Sequence, residues 1–111
     1  MFFSGKKAVL EKINDNISRK VLAHAGGMMA VEVHFKAPIT DYGIHSHPHE
    51  QIAYVIKGKF EFKVNDEIFH LEQGDSIYFP PNVSHGCILH SDEGILLDTF
   101  TPQREDFLKK S

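Results

Sequence analysis

Short apolar or alternating segments separated by turn residues recur along the chain, and helical periodicity is scarce. This pattern is typical of an all-β protein. Asn65 and Asp66 lie between two alternating segments and tolerate positive φ, which predicts a tight β-hairpin at that point. The predicted strands cover residues 28–35, 52–56, 59–64, 68–71, 76–79, 85–89 and 95–100.

The number and spacing of these strands predict one all-β domain. A small double-sheet jelly roll or barrel fits best, because closing the sheets removes exposed strand edges. We assign residues 1–111 to this single domain and the barrel itself to roughly residues 28–101, with short extensions at both ends. Within the extensions, residues 7–13 and 105–110 are each long enough for a helical turn or two.

Composition narrows the class of protein. A chain of 111 residues can form one hydrophobic core without disulfides, and its single cysteine, Cys87, cannot form an intramolecular one. We interpret Cys87 as a core-filling thiol, with a catalytic or redox role as the alternative. The net charge of −3 and the presence of only two arginines argue against a nucleic-acid partner. The sequence offers no membrane span or signal peptide, so the cytoplasm is the expected location.

Eight histidines stand out in so short a chain. His45 and His47 are two positions apart, so both imidazoles project from the same face of an extended backbone. Gln51 returns to that face, whereas its acidic neighbour Glu50 points the other way. His85 follows a predicted strand and turn that can direct its side chain inward. The spacing therefore nominates four metal ligands: His45, His47, Gln51 and His85.

Three imidazoles and one carboxamide oxygen suit a transition metal better than calcium, which prefers oxygen ligands alone. We expect one divalent ion per chain, and Ni²⁺, Zn²⁺, Mn²⁺ and Fe²⁺ all accept this donor set. The alternative is a group of surface-loop histidines around a proline. For His49, the break in the extended path at Pro48 favours a loop position, exposed or behind the ligands, over direct ligation. The other histidines are interpreted as ordinary strand or turn residues: His24, His34, His70 and His90.

The last predicted strand carries an acid among apolar residues. Asp98 shares a face with Phe100. Burying a carboxylate costs free energy, so such a group is expected to be paired or to have a functional role. We expect both side chains to line the same cavity as the metal, although Asp98 could instead cap the following turn. Arg104 lies just beyond and could bind a carboxylate through two hydrogen bonds. Its alternative is a surface pair with Glu105 or Asp106.

Two segments resemble the signature motifs of the cupins. Residues 43–58 resemble the first motif, and residues 74–85 resemble the second, with Asn82 where glycine is usual. The resemblance implies the cupin double-stranded β-helix, a jelly-roll barrel, and a bound metal ion. Gln51 replaces the more frequent glutamate of the first motif. A neutral shell leaves the charge of the ion uncancelled, so the site should attract anions and act as a stronger Lewis acid.

Residues 98–107 closely resemble the C-terminal segment of the KdgF-type pectin-degradation cupins. That resemblance implies a metal-dependent conversion of 4,5-unsaturated uronates, which are anionic sugar acids, into linear 5-keto-4-deoxyuronates. It also implies roles for three residues: Asp98 is the acid/base, Phe100 is a wall against the sugar, and Arg104 anchors the carboxylate. A homodimer is expected by analogy with the family, and because a domain this small would otherwise leave strand edges and aromatic surface uncovered.

Two other functions remain open from the sequence. The first is a cupin dioxygenase, in which the same four ligands would hold iron and leave positions for O₂ and substrate. The second is a non-catalytic cupin that binds a small metabolite or a carbohydrate. Iron content and oxygen uptake distinguish the dioxygenase from the sugar-acid enzyme.

Overall fold

The computed structural model describes residues 1–108, which form nine β-strands followed by one short helix. The strands are β1 (Leu10–Lys12), β2 (Ile17–Ala25), β3 (Met28–Lys36), β4 (Glu50–Lys57), β5 (Lys59–Val64), β6 (Glu67–Glu72), β7 (Ser76–Phe79), β8 (His85–Leu89) and β9 (Glu93–Thr101). The helix is α1 (Glu105–Leu108). Within this described part, no helix has the length and apolar character needed to cross a membrane.

The strands form two antiparallel sheets. One sheet has six strands in the order β1-β2-β3-β9-β4-β7, and the other has three in the order β6-β5-β8. Ala53, Val55 and Leu96 of the larger sheet pack in one buried cluster with Phe60 and Phe62 of the smaller sheet. The two sheets therefore close over a common interior, and the predicted all-β jelly roll is confirmed.

Alternation along the strands decides which side chains reach that interior. On β9, burial alternates strictly, so Leu96, Asp98 and Phe100 face inward. On β4, Gln51, Ala53 and Val55 are buried, while the residues that alternate with them are exposed. Since β4 and β9 are hydrogen-bonded neighbours, their inward residues lie side by side and form one wall of the interior.

The predicted β-hairpin is present between β5 and β6. Asn65 adopts a φ of 52°, and the strands pair from Lys59↔Glu72 to Val64↔Glu67. Asn82, which takes the usual glycine position of the second motif, also has positive φ, at 65°. Asparagine tolerates this left-handed region, so the substitution preserves the turn before His85.

The N-terminal prediction is wrong. Residues 7–13 were expected to form a helical turn, but they contain β1, which pairs with β2, a strand that the sequence pattern did not predict. β2 is rich in polar residues and has no strict alternation, and pairing with β3 holds it in the sheet. The predicted C-terminal turn is present as α1, and residues 109–110 of that prediction lie outside the described part of the chain.

Candidate metal centre and adjoining cavity

The four nominated ligands come from three places in the chain. His45 and His47 lie in the segment before β4, Gln51 is the second residue of β4, and His85 is the first residue of β8. Two backbone hydrogen bonds join the segment to β8: the N–H of His45 donates to the carbonyl of His85 at 3.0 Å, and the reverse bond measures 2.9 Å. As a result, the ring nitrogens of the three histidines lie within 4.8 Å of one another.

The three imidazoles are oriented by the backbone. Each Nδ1 contacts a carbonyl oxygen two residues away, which favours the tautomer that leaves Nε2 as the lone-pair nitrogen. These contacts are His45 to Gly43 at 3.1 Å, His47 to His49 at 3.2 Å, and His85 to Val83 at 3.0 Å. Fixed rings with one available nitrogen each are the arrangement that a metal ion requires.

The buried nitrogens support the same conclusion. Nε2 of His85 is buried and has no hydrogen-bond partner, and Nε2 of His47 lies 3.0 Å from Oε1 of Gln51. Burial lowers the pKa of His85 to about 4 and also lowers the pKa of His47. Both rings are therefore neutral at neutral pH, which is the form that binds metal. The residues present thus fit a divalent transition metal.

Gln51 and Glu50 diverge as the spacing predicted. Gln51 is buried and reaches His47, whereas Glu50 is exposed and accepts a hydrogen bond from the hydroxyl of Tyr78 at 2.6 Å. The carboxamide is thus the side chain from this pair that meets the histidines.

His49 lies outside the cluster of three imidazoles. Its Nε2 contacts the carbonyl oxygen of Gln103 at 3.1 Å, and its ring packs 5.4 Å from that of His47. Its own carbonyl oxygen is the group that orients His47. His49 therefore supports the cluster from behind.

A cavity of about 550 Å³ adjoins the cluster. Polar and charged groups line it beside apolar side chains, which is typical of a small-molecule site. The residues that matter here come from both sheets, from the segments before β4 and after β9, and from α1: His45, Gln51, His85, Cys87, Leu96, Asp98, Phe100, Arg104 and Phe107. All the sequence-predicted site residues except His47 thus line one space, and His47 lies 3.0 Å from Gln51 of that lining.

Asp98 lies in the middle of β9, where it is paired with Val31 on one side and Ala53 on the other. It is 8% exposed, and its Oδ1 has no hydrogen-bond partner. Burial raises the pKa of Asp98 to about 7, and Gln51 and Arg104 oppose that rise. A mid-strand position is incompatible with the alternative in which Asp98 caps a turn.

Arg104 is held in two ways. Its Nε and Nη2 donate to the two carboxylate oxygens of Asp106, each at 3.1 Å, which is the surface pair considered as its alternative. Its guanidinium also packs over the rings of Phe107 and Phe100, at 4.3 and 5.2 Å. Only 14% of the Arg104 side chain is exposed, and it lines the cavity. The guanidinium is therefore both paired and placed beside the candidate site.

The sequence did not reveal every residue of the cavity. Phe107 was missed, although it packs against both arginines of the chain, with Arg19 lying 3.8 Å from its ring centroid. Tyr42 and Asn16 were also missed, because they lie in connecting segments without hydrophobic alternation. The resemblance of residues 98–107 and the rarity of arginine were the sequence signals that pointed toward this end of the cavity.

Cys87 faces the cavity and packs against the core. Burial, with a smaller contribution from Asp98, raises the pKa of its thiol to about 12. A thiol that stays protonated is a poor nucleophile, so the structure favours the core-filling interpretation of Cys87.

Comparison with known proteins gives consistent matches. The family model for the cupin domain matches residues 27–99. The pectin degradation protein KdgF of Dickeya dadantii (strain 3937) is 35% identical over 108 residues, which cover 96% of this chain and 97% of that protein.

Two solved structures agree with this finding. KdgF from Halomonas sp. superposes with a TM-score of 0.88 at 31% identity, covering 96% of this chain and 97% of that one. An RmlC-like cupin from Shewanella frigidimarina NCIMB 400 gives a TM-score of 0.86 at 38% identity, covering 96% and 94% of the two chains. Fold and sequence therefore match together over nearly the full length.

Proposed function

The chain belongs to the cupin family, in which it is similar to the pectin degradation protein KdgF, and on that basis we propose that it converts 4,5-unsaturated uronates into linear 5-keto-4-deoxyuronates. One observation carries the proposal. A buried carboxyl, Asp98, lines the cavity beside the three-histidine cluster, together with the guanidinium of Arg104. Such a cavity offers a proton, an electrophilic centre and a positive charge for an anionic sugar.

The proposed metal ligands are His45, His47, Gln51 and His85. When bound, the ion supplies Lewis acidity that stabilises negative charge on a substrate oxygen. None of the four ligands carries a negative charge when the imidazoles are neutral. The site therefore favours an anion such as a uronate.

The proposed conversion is an isomerisation, so no co-reactant is needed. The C1 hydroxyl loses its proton as the bond between C1 and the ring oxygen breaks, so that C1 becomes an aldehyde, and the released ring oxygen takes up a proton. The resulting enol at C5 loses its hydroxyl proton to become a ketone, and C4 gains a proton. The protein must therefore provide a group that delivers a proton to carbon at neutral pH.

Asp98 is the proposed acid/base. Its burial raises its pKa to about 7, so the protonated form persists near neutral pH and can supply the proton for C4. Phe100, two positions along the same face of β9, forms a wall against the sugar ring. Arg104 attracts the substrate carboxylate, while its bonds to Asp106 and its stacking on Phe107 fix the guanidinium.

A homodimer is part of the proposal. The outer face of the six-stranded sheet carries exposed apolar side chains on neighbouring strands. Ile52 and Tyr54 on β4 are 49% and 42% exposed, and Tyr78 on the adjacent edge strand β7 is 51% exposed. A second copy of the chain would cover this surface and the unpaired edge of β7.

The test is a direct assay on an unsaturated uronate, whose C4=C5 bond is conjugated with its carboxylate and absorbs ultraviolet light. Metal-loaded protein should remove this absorbance well above the spontaneous rate and yield the open-chain keto acid. His85→Gln should abolish the acceleration, because it removes a proposed ligand. His24, a half-buried residue of β2 that does not line this cavity, provides a matched control, and His24→Gln should retain full activity.

The outcomes separate the competing functions. No acceleration by the metal-loaded protein would contradict the proposed reaction. Stoichiometric iron with oxygen uptake on adding substrate would instead identify a dioxygenase. Saturable binding of the uronate without turnover would identify a non-catalytic cupin.

A further inference from the structure

A second group of metal-donor side chains lies on the outer face of the three-stranded sheet. Glu61 on β5 pairs directly with His70 on β6. His90, just after β8, is held alongside by a backbone hydrogen bond from its N–H to the carbonyl oxygen of Lys59 at 2.8 Å. Their donor atoms lie within 4.8 Å of one another. Regular strand pairing therefore places two imidazoles and one carboxylate around one point.

The carboxylate of Glu61 is oriented toward the imidazoles. Its Oε1 lies 2.8 Å from Nε2 of His90, while its Oε2 accepts a hydrogen bond from the hydroxyl of Tyr42. The hydrogen bonds from Tyr42 and His90 lower the pKa of Glu61, so the group is an anion at neutral pH. Tyr42 thus acts as the fixed outer partner that metal-binding carboxylates typically have.

The imidazoles of His70 and His90 also lie against each other. The rings of His70 and His90 are stacked, with centroids 6.2 Å apart and an angle of 29° between their planes. Both side chains are exposed, so an ion can reach them without opening the fold. His70 and His90 line a surface depression of about 520 Å³ together with Glu72, Asp75 and Lys59. With two acids against one base around it, the depression attracts cations.

We propose that Glu61, His70 and His90 form a second metal site that takes a borderline divalent cation of the Zn²⁺ type. Two imidazoles and one carboxylate with an open fourth position are a common zinc donor set. Ligands bound to one zinc ion lie roughly 3 to 4 Å apart, so the observed cluster requires little movement. A bound ion would link β5, β6 and the end of β8, and it would displace the proton shared between Glu61 and His90.

Titration of chelator-treated protein with Zn²⁺, followed by calorimetry, tests the proposal. Wild type should bind two equivalents per chain. His70→Gln and His90→Gln should each lose one equivalent or weaken it at least about tenfold. His85→Gln should lose the other equivalent and keep this one. The control is His34→Gln, because His34 is also paired with a carboxylate, that of Glu32 at 2.6 Å, but within residues 1–108 it belongs to no cluster of three donor side chains.

Thermal unfolding provides the second measurement. In the His85→Gln protein, Zn²⁺ should raise Tm, and this rise should disappear in the double variant that also carries His70→Gln. A single equivalent in wild type would overturn the proposal. The proposal would also be overturned if the His70→Gln and His90→Gln proteins bound the second equivalent of Zn²⁺ as fully as the His34→Gln protein does.

Discussion

At the scale of single residues, environment rather than residue type sets the chemistry of the cavity. Asp98 is surrounded by the apolar residues of β3, β4 and β9, and that burial raises its pKa to about 7. The exposed Glu93, at the start of the same strand, has its pKa lowered by hydrogen bonding to Lys57. Two acids on one strand thus differ in proton affinity because one is desolvated and the other is hydrogen-bonded to a cation.

We expect Asp98→Asn to retain the metal and to lower kcat by about 10²- to 10⁴-fold, because it removes a positioned proton donor. The measurement is uronate turnover together with the metal content of each protein. Because the raised pKa keeps Asp98 protonated up to about pH 7, donation by wild type should decline as pH rises above that value. Asp66→Asn, the same change in an exposed turn, is the control. Unchanged turnover in Asp98→Asn would remove the residue from the mechanism.

At the scale of elements, the candidate metal centre depends on how the segment before β4 lies along β8. The N–H of Cys87 donates to the carbonyl of Tyr42 at 3.0 Å, and the paired bonds between His45 and His85 follow. Gly86 allows this close approach, because a Cβ there would collide with the backbone of Tyr42. The absence of a side chain at one position of β8 therefore helps to set the distance between two proposed ligands.

Gly86→Ala should push the segment away from β8. We expect it to lower the free energy of unfolding by ~1–3 kcal/mol, as overpacking does, and to weaken metal binding. Denaturant unfolding and metal titration measure the two effects. Gly27→Ala is a suitable control, since nothing lies within 4 Å of a Cβ at that position. Wild-type metal affinity in Gly86→Ala would show that the backbone contact does not position His45.

At the scale of the whole molecule, the two sheets form an interior that is apolar at one end and polar at the other. The core cluster that contains Val55, Phe60 and Leu96 stabilises the first end, while the cavity and the three-histidine cluster occupy the second. The outer surface is also divided. One sheet carries the apolar face around Ile52, and the other carries the second histidine cluster.

We expect the wild-type protein to be a dimer with about twice the chain mass of 12.6 kDa. Ile52→Lys should place a charge in the proposed interface and shift the protein toward the monomer. Light scattering after gel filtration measures the mass. Val9→Lys is the control, because Val9 is exposed but lies outside this face. A monomeric wild type, or a dimer unaffected by Ile52→Lys, would contradict this interface.

Much of the fold follows from local pattern, since alternation and turn residues act within a few positions of the chain. The strands at 59–64, 76–79 and 85–89 have the predicted bounds. The failure at β1 and β2 has a physical reason. Their side chains are polar, exposed or only half-buried, so the sheet pairing that creates these strands leaves little trace in the sequence.

For the candidate site, the period of two along an extended chain was sufficient to select Gln51 over Glu50 and to place Asp98 with Phe100. Sequence alone did not determine the partners across the fold. The packing of Arg104 over Phe100, the burial of Asp98, and the convergence of Glu61, His70 and His90 all depend on which parts of the chain become neighbours. Distances between residues far apart in the chain are fixed only when the sheets close, because that step decides which side chains share a face and which lose water.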